Sequence, residues 1–142
     1  MVHGALAALI VPLTRGMKVS EFTDLECWQL SESLKVRLYE IADRPGARED
    51  FEFRKQIRKS GASAPRNIAE GFGRFTHPEI AQFLKVALGS LYETRDALID
   101  AKDRGYLTPR EHDELKKLAT SAIKCTKAFK RSVSTRPTPK FW

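Results

Sequence analysis

The sequence predicts an all-α protein, an antiparallel up-down four-helix bundle. Three observations lead there. Apolar residues recur at steps of four and three along separate segments, marking one face of a helix each time. Three segments open on the pattern T-x-x-E, in which a Thr hydroxyl and a Glu carboxylate cap a helix start reciprocally. No stretch alternates with period two, so a sheet is disfavoured.

The first helix shows Cys27, Ser31, Leu34, Leu38 and Ile41 on one face, with Trp28 beside them. Thr23-Asp24-Leu25-Glu26 is its expected capping box. The turn Arg44-Pro45-Gly46 ends it. The second helix begins between Ala47 and Asp50. Glu49, Asp50 and Glu52 in its first turn suit the positive end of the helix dipole. Its stripe is Phe53, Ile57, Ala64 and Ile68, and it ends near Gly71 to Gly73. Pro65 lies inside it, where a proline removes one hydrogen bond and clashes with the carbonyl four residues back, at a cost of about 3 kcal/mol. That residue is Gly61, which shifts easily. One long helix kinked at Pro65 is expected, with a break there as the alternative.

The third helix carries Ile80, Leu84, Ala87, Leu91, Thr94, Leu98 and Ala101. Thr76-His77-Pro78-Glu79 caps it, and Phe75 with Ile80 occupies the positions of a hydrophobic staple. Gly105 stops it, because glycine tolerates the left-handed conformation that follows a helix. The fourth helix opens at Thr108-Pro109-Arg110-Glu111, with Pro109 preset for the first helical position. It carries Leu115, Ala119, Ala122, Thr126, Phe129 and Val133. The short link between these two helices makes them antiparallel neighbours.

The bundle therefore spans residues 22–133. Residues 1–21 read as an N-terminal tail without regular structure, and 134–142 as a C-terminal tail that Pro137 and Pro139 keep out of the helix. Ala5 to Val11 is apolar, but no Lys or Arg precedes it as in a signal peptide. Met17 opens a second plausible start, so residues 1–16 read as a product of start-site choice. Phe141 and Trp142 could dock on a neighbouring surface or fray.

A chain of 142 residues is one domain's worth, long enough to bury about two-thirds of its unfolded surface. It is 42% hydrophobic and 30% charged, too apolar for wholesale disorder. The longest apolar run, Gly4 to Leu13, is about half of a membrane span. Two cysteines make no disulfide scaffold. A cytoplasmic protein without membrane contact is expected. The formal charge is +7, and its placement is uneven. Counted by segment, the first and third helices are mildly acidic; the excess lies on the second, the fourth and the tails.

On the fourth helix, Arg110, Lys116, Lys117, Lys124, Lys127, Lys130 and Arg131 gather opposite the apolar stripe, with Ile123 intruding among them. On the second, Arg54 and Arg58, then Lys55, Lys59 and Arg66, share faces. Taken singly these are ordinary solvated side chains. As a set they form a candidate surface for tracking phosphates. Aromatic residues are sparse among them: Phe72 and Phe75 lie near Arg74, and the fourth helix offers none on that face. That favours backbone contact over base stacking.

Other chemistry finds little support. Gly71-Phe72-Gly73-Arg74 follows a helix rather than a strand, at the end whose dipole repels anions, so it is no phosphate loop. His3, His77 and His112 are scattered, no Glu-x-x-His pair exists, and no metal or cofactor is expected. Cys27 and Cys125 read as buried reduced thiols. No nucleophile, base and acid group together, so no enzyme is expected. Gln56, Ser63, Asn67, Glu70 and Arg74 form a polar stripe beside the small residues of the second helix. With only Glu70 as carboxylate, the stripe suits a hydrogen-bond network inside the bundle or between subunits rather than hydrolysis.

Several segments carry a resemblance: Asp24-Leu25-x-x-Trp28-Gln29, Gln56-Ile57-Arg58-Lys59, Ser63-Ala64-Pro65-x-Asn67-Ile68-Ala69-Glu70-Gly71-x-Gly73-Arg74, Glu79, and Phe83-Leu84-x-x-Ala87-x-Gly89-Ser90-Leu91-x-Glu93. Over residues 22–132 the chain resembles the four-helix bundle protein family of 23S rRNA intervening sequences, to which the accessory protein of diversity-generating retroelements is also similar. The resemblance implies a homo-oligomer, in relatives a pentameric ring, and no established enzyme activity. For the retroelement relative it implies binding of nucleic acid and a reverse transcriptase. The motif residues are Asn67, Glu70, Gly71, Gly73 and Arg74, with no settled role. The family's Phe-Pro turn after the first helix is replaced here by Arg44-Pro45-Gly46. The expected function is non-enzymatic binding of nucleic acid, RNA before DNA. The alternative is a scaffold whose basic face meets an acidic or reverse-transcriptase-like protein.

Overall fold

The computed structural model describes residues 19–135. The expectations for Ala5 to Val11 and for docking of Phe141 and Trp142 lie outside the described residues. After a 3-10 turn at Phe22–Asp24 come α1 (Glu26–Ala42), α2 (Phe51–Phe72), α3 (His77–Asp103) and α4 (Pro109–Thr135). Among the described residues there is no strand. The fold is an all-α four-helix bundle.

Two of the three expected capping boxes form. Thr76 Oγ1 accepts the Glu79 amide at 3.3 Å, and Glu79 Oε2 accepts the Thr76 amide at 3.3 Å. Thr108 and Glu111 repeat the exchange at 3.1 Å each way. The box at Thr23 does not form. Asp24 is drawn into the preceding turn, where its Oδ2 accepts the amides of Ser20 and Glu21 at 3.0 Å. Those bonds hold its carboxyl below the usual range. α1 then starts later than expected, at Glu26, behind Leu25, which offers no side-chain cap. Phe75 is 69% exposed, so the staple above α3 buries little of its ring.

α2 begins behind Asp50, whose side chain accepts the Phe53 amide, and continues through Pro65 to Phe72 without a break. Gly61, four residues before the proline, also faces α1: a side chain there would start 2.7 Å from Leu38 Cδ1. The glycine in mid-helix thus serves the α1–α2 contact. α3 ends as expected. Gly105 has φ 80°, the Tyr106 amide reaches Ala101 O at 2.8 Å and the Gly105 amide Lys102 O at 3.0 Å. These are the paired bonds of a Schellman ending.

The helices pack in the pairs α1–α2, α2–α3, α3–α4 and α1–α4, so α2 and α4 stand diagonally across the bundle. Two apolar clusters fill it. Leu38, Ile57, Leu98 and Leu115 anchor the cluster where α1 runs into α2 and α3 into α4. Leu25, Ile68, Leu84 and Val133 anchor the other, which Val19 also joins. Each of these side chains is almost wholly buried, contributing roughly 1.5–3 kcal/mol by leaving water. Ile123, which by sequence intrudes on the basic face of the fourth helix, is 4% exposed and belongs to the first cluster. α4 packs on both α1 and α3, so its buried face is wider than one apolar stripe suggests.

A polar knot ties the two helix–helix corners beside the first cluster. Arg44 reaches Glu111 with two hydrogen bonds, of 3.1 and 2.6 Å, and the Tyr106 carbonyl at 3.0 Å. Asp50 accepts from Tyr106 Oη and Arg104, both at 2.7 Å. The Tyr106 hydroxyl is the main reason the Asp50 carboxyl sits below its ordinary value.

Candidate nucleic-acid interface

The basic residues singled out by sequence fall into two patches, because α2 and α4 are diagonal. They do not form one surface. On α2, Arg54 donates to Asp43 at 3.0 Å, and the Arg58 guanidinium stacks 4.2 Å from the centre of the Tyr39 ring. Both arginines are thus held against α1. Lys55, Lys59 and Arg66 are exposed. On α4, Arg110 pairs with Glu114 at 3.6 Å and Lys130 is half-buried. Lys116, Lys117, Lys124, Lys127 and Arg131 all stand exposed.

The α4 patch has relief as well as charge. Lys116, Lys117 and Lys124, with Thr120, Ser121 and Asp113, line a shallow depression of about 530 Å³ on its outer face. Three ammonium groups and two hydroxyls outweigh the single carboxylate of Asp113, and the net positive lining suits the non-bridging oxygens of a phosphodiester.

The bundle also brings aromatic rings to the cations, which the sequence reading missed. Tyr92 of α3 is 45% exposed, and Lys127 Nζ donates to its hydroxyl at 2.9 Å. Arg74 lies 4.5 Å from the centre of the Phe83 ring. The rings expected near Arg74 are different ones, Phe72 and Phe75; Phe72 is in fact buried in the second cluster. These partners come from a neighbouring helix or turn, so no local sequence spacing announces them.

The opposite charge collects elsewhere. Between α2 and α3 runs a cleft of about 570 Å³, walled by Glu52, Glu93, Asp96, Asp100 and Asp103. Arg104 there is engaged by Asp100 at 2.9 Å and Asp50 at 2.7 Å. Like charge makes this flank unfavourable to a polyanion.

The polar stripe of α2 divides. Its middle is a network: Asn67 Nδ2 donates to Ser63 O at 2.8 Å and to Ser63 Oγ at 3.1 Å. Ser63 Oγ and Ser90 Oγ are 2.6 Å apart, and Ser90 Oγ donates to Val86 O at 3.1 Å. Since Ser90's proton goes to that carbonyl, Ser63 is the donor between the two hydroxyls. The chain runs Asn67 to Ser63 to Ser90 to backbone, crossing from α2 to α3. Gln56, Glu70 and Arg74 stand outside it, exposed. Gly71 marks a close approach of the same pair, since a side chain there would begin 3.1 Å from Phe83 Cβ. Gly73 is the C-cap of α2.

Among the described residues no group of three or more His, Cys, Asp or Glu is placed to hold a metal ion. Cys27 is buried and Cys125 half-buried, and both are free thiols. Hydrogen bonding to Cys125, then burial, pushes the Cys27 thiol up. No helix among the described residues is long and apolar enough to cross a membrane.

With this geometry in place, the sequence model of the 23S rRNA-intervening sequence protein family matches residues 23–128. The chain belongs to that family. No curated protein matches it. The match takes in all of α1, α2 and α3 and most of α4, including Lys116, Lys117, Lys124 and Lys127. Of the basic candidates, Lys130 and Arg131 lie beyond its last residue. The match therefore spans the bundle from the 3-10 turn through most of α4.

Proposed function

We propose that the protein is a non-enzymatic nucleic-acid-binding bundle that contacts phosphates through the outer face of α4. The observation that carries this reading is the row Lys116, Lys117, Lys124, Lys127 and Arg131, exposed on one helix beside a hollow with hydroxyls. The acidic cleft on the α2–α3 flank supports it by giving the surface a polarity. Lys55, Lys59 and Arg66 form a second, smaller contact. RNA is the preferred partner, and the cytoplasm the compartment. The chain acts as a homo-oligomer, for which the resemblance suggests a pentameric ring. Each ring would repeat the α4 face and widen a modest charge into a broad one.

Salt titration of RNA and DNA binding tests the reading. Log affinity should fall linearly with log salt, by about 0.7 per phosphate neutralised on a single strand and about 0.9 on a duplex. Replacing Lys117, Lys124 and Arg131 together by Gln should weaken binding and flatten that slope, with helicity unchanged. Absence of binding at low salt would overturn the proposal. Light scattering that returns a monomer mass would overturn the ring. The second reading, a scaffold for an acidic protein, uses the same α4 face. It is favoured if an acidic polypeptide binds and RNA does not compete.

A further inference from the structure

We propose that Tyr92 is a stacking platform for an unpaired nucleobase, at the edge of the α4 phosphate surface. The inference rests on the nucleic-acid reading and names the class of ligand: single strands or loops rather than continuous duplex. Three observations carry it.

The first is where Lys127 sits. Its ammonium is 2.9 Å from the Tyr92 hydroxyl and 5.4 Å from the ring centre. The second distance exceeds the first by nearly the length from a phenol's ring centre to its oxygen. The cation therefore lies outward along the C–O direction, and it does not cover a face of the ring. Tyr39 shows the contrast, for Arg58 lies 4.2 Å from its ring centre and takes up one face. The second observation is exposure: Tyr92 is 45% accessible although it lies along the α3–α4 seam. The third is Gly89, one turn earlier on the same face of α3. Nothing comes within 4 Å of the point where its side chain would start, the Tyr92 ring included. Helical side chains lean toward the N-terminal turn, so the absent side chain leaves a gap on the flank of the ring.

A flat base fits beside such a ring, and its 5′ or 3′ phosphate then comes to Lys127. That ammonium keeps two N–H donors after serving the hydroxyl. Lys124, three residues back on α4, continues the phosphate path. A base inside a duplex has both faces covered by its neighbours and cannot use the platform; an unpaired one can. Stacking does not read the sugar, so an RNA and a DNA single strand should both use Tyr92. Any preference between them arises elsewhere.

The test uses the full chain with a twelve-nucleotide oligo-U, the matching oligo-dT, and a duplex of the same length, by fluorescence anisotropy at low salt. Tyr92→Ala should weaken both single strands about five- to a hundredfold and leave the duplex unchanged. Tyr92→Phe should keep most single-strand affinity, because the ring remains. Gly89→Leu fills the gap from an exposed helical position and should weaken single strands while duplex binding and helicity stay as they were. Equal behaviour of Tyr92→Ala and the natural sequence toward single strands overturns the platform and leaves the α4 surface standing. A loss shared equally by duplex and single strands also overturns it, since Tyr92 would then serve only by holding Lys127. No binding of any probe by the natural sequence overturns both readings together.

Discussion

Arg44 holds Glu111 by two parallel hydrogen bonds, joining the end of the first helix to the first turn of the last across 67 residues of chain. Glu111 also accepts the Thr108 amide, so one carboxylate caps a helix and closes the bundle. The Arg44 guanidinium first, and the Thr108 amide second, pull its pKa from 4.5 to about 2. The sign follows from linkage: a carboxylate with a lowered folded pKa stabilises above its unfolded value. That stability is complete above about pH 5 and is lost as pH falls through 4.5 toward 2. The pair is about a quarter to a third exposed, so screening limits it, and Glu111→Gln should cost roughly 1–2 kcal/mol at pH 7. Urea midpoints measured from pH 7 to pH 3 should converge for the two proteins. A constant gap would show that the loss is not electrostatic.

The capping residues make a sharper comparison. Thr76→Ala and Thr108→Ala each remove an observed cap and should cost about 1 kcal/mol. Thr23→Ala has the same sequence context but no cap to lose, and should shift stability by less than about 0.5 kcal/mol. Chemical denaturation of the three single variants decides it. An equal loss at Thr23 would mean that α1 starts earlier than the Asp24 turn allows.

Local rules made most of the fold legible. The four apolar stripes, two capping boxes and the glycine stop at Gly105 each depend on residues within one turn of each other, and each forms. Thr23 misled because Asp24 has a competing set of amides, those of Ser20 and Glu21, four and three residues upstream. Ile123 misled because one stripe per helix undercounts a helix packed on two neighbours. The site was half legible. Which residues are basic is a matter of sequence, but helix adjacency decides which of them lie together. It places α2 and α4 on a diagonal. It also sets Tyr92 beside Lys127, 35 positions apart, which no spacing rule anticipates.

The Ser63–Ser90 contact should show as an energetic coupling. Each hydroxyl serves two partners, so Ser63→Ala leaves Asn67 and Ser90 each short of one bond. Either single substitution should cost about 1 kcal/mol. The double variant should cost less than the sum by at least about 0.5 kcal/mol, the mark of residues in one network. Strict additivity in a double-mutant cycle would show that the 2.6 Å contact contributes nothing by itself.

The two glycines of the α2–α3 region should respond in opposite directions to the same change. At Gly71 a new methyl would stand 3.1 Å from Phe83 Cβ and 3.5 Å from the Ile80 carbonyl. Neither atom is the free end of a flexible side chain, so α2 and α3 must separate slightly, and Gly71→Ala should destabilise by roughly 1–3 kcal/mol. At Gly89 the methyl meets nothing within 4 Å. Glycine in a helix interior costs backbone entropy, so Gly89→Ala should stabilise by about 0.5–1 kcal/mol. Thermal unfolding of both variants separates a packing role from a merely helical one. If Gly71→Ala were as stable as Gly89→Ala, the close approach of α2 to α3 would not be what demands glycine at the centre of the family-matched segment.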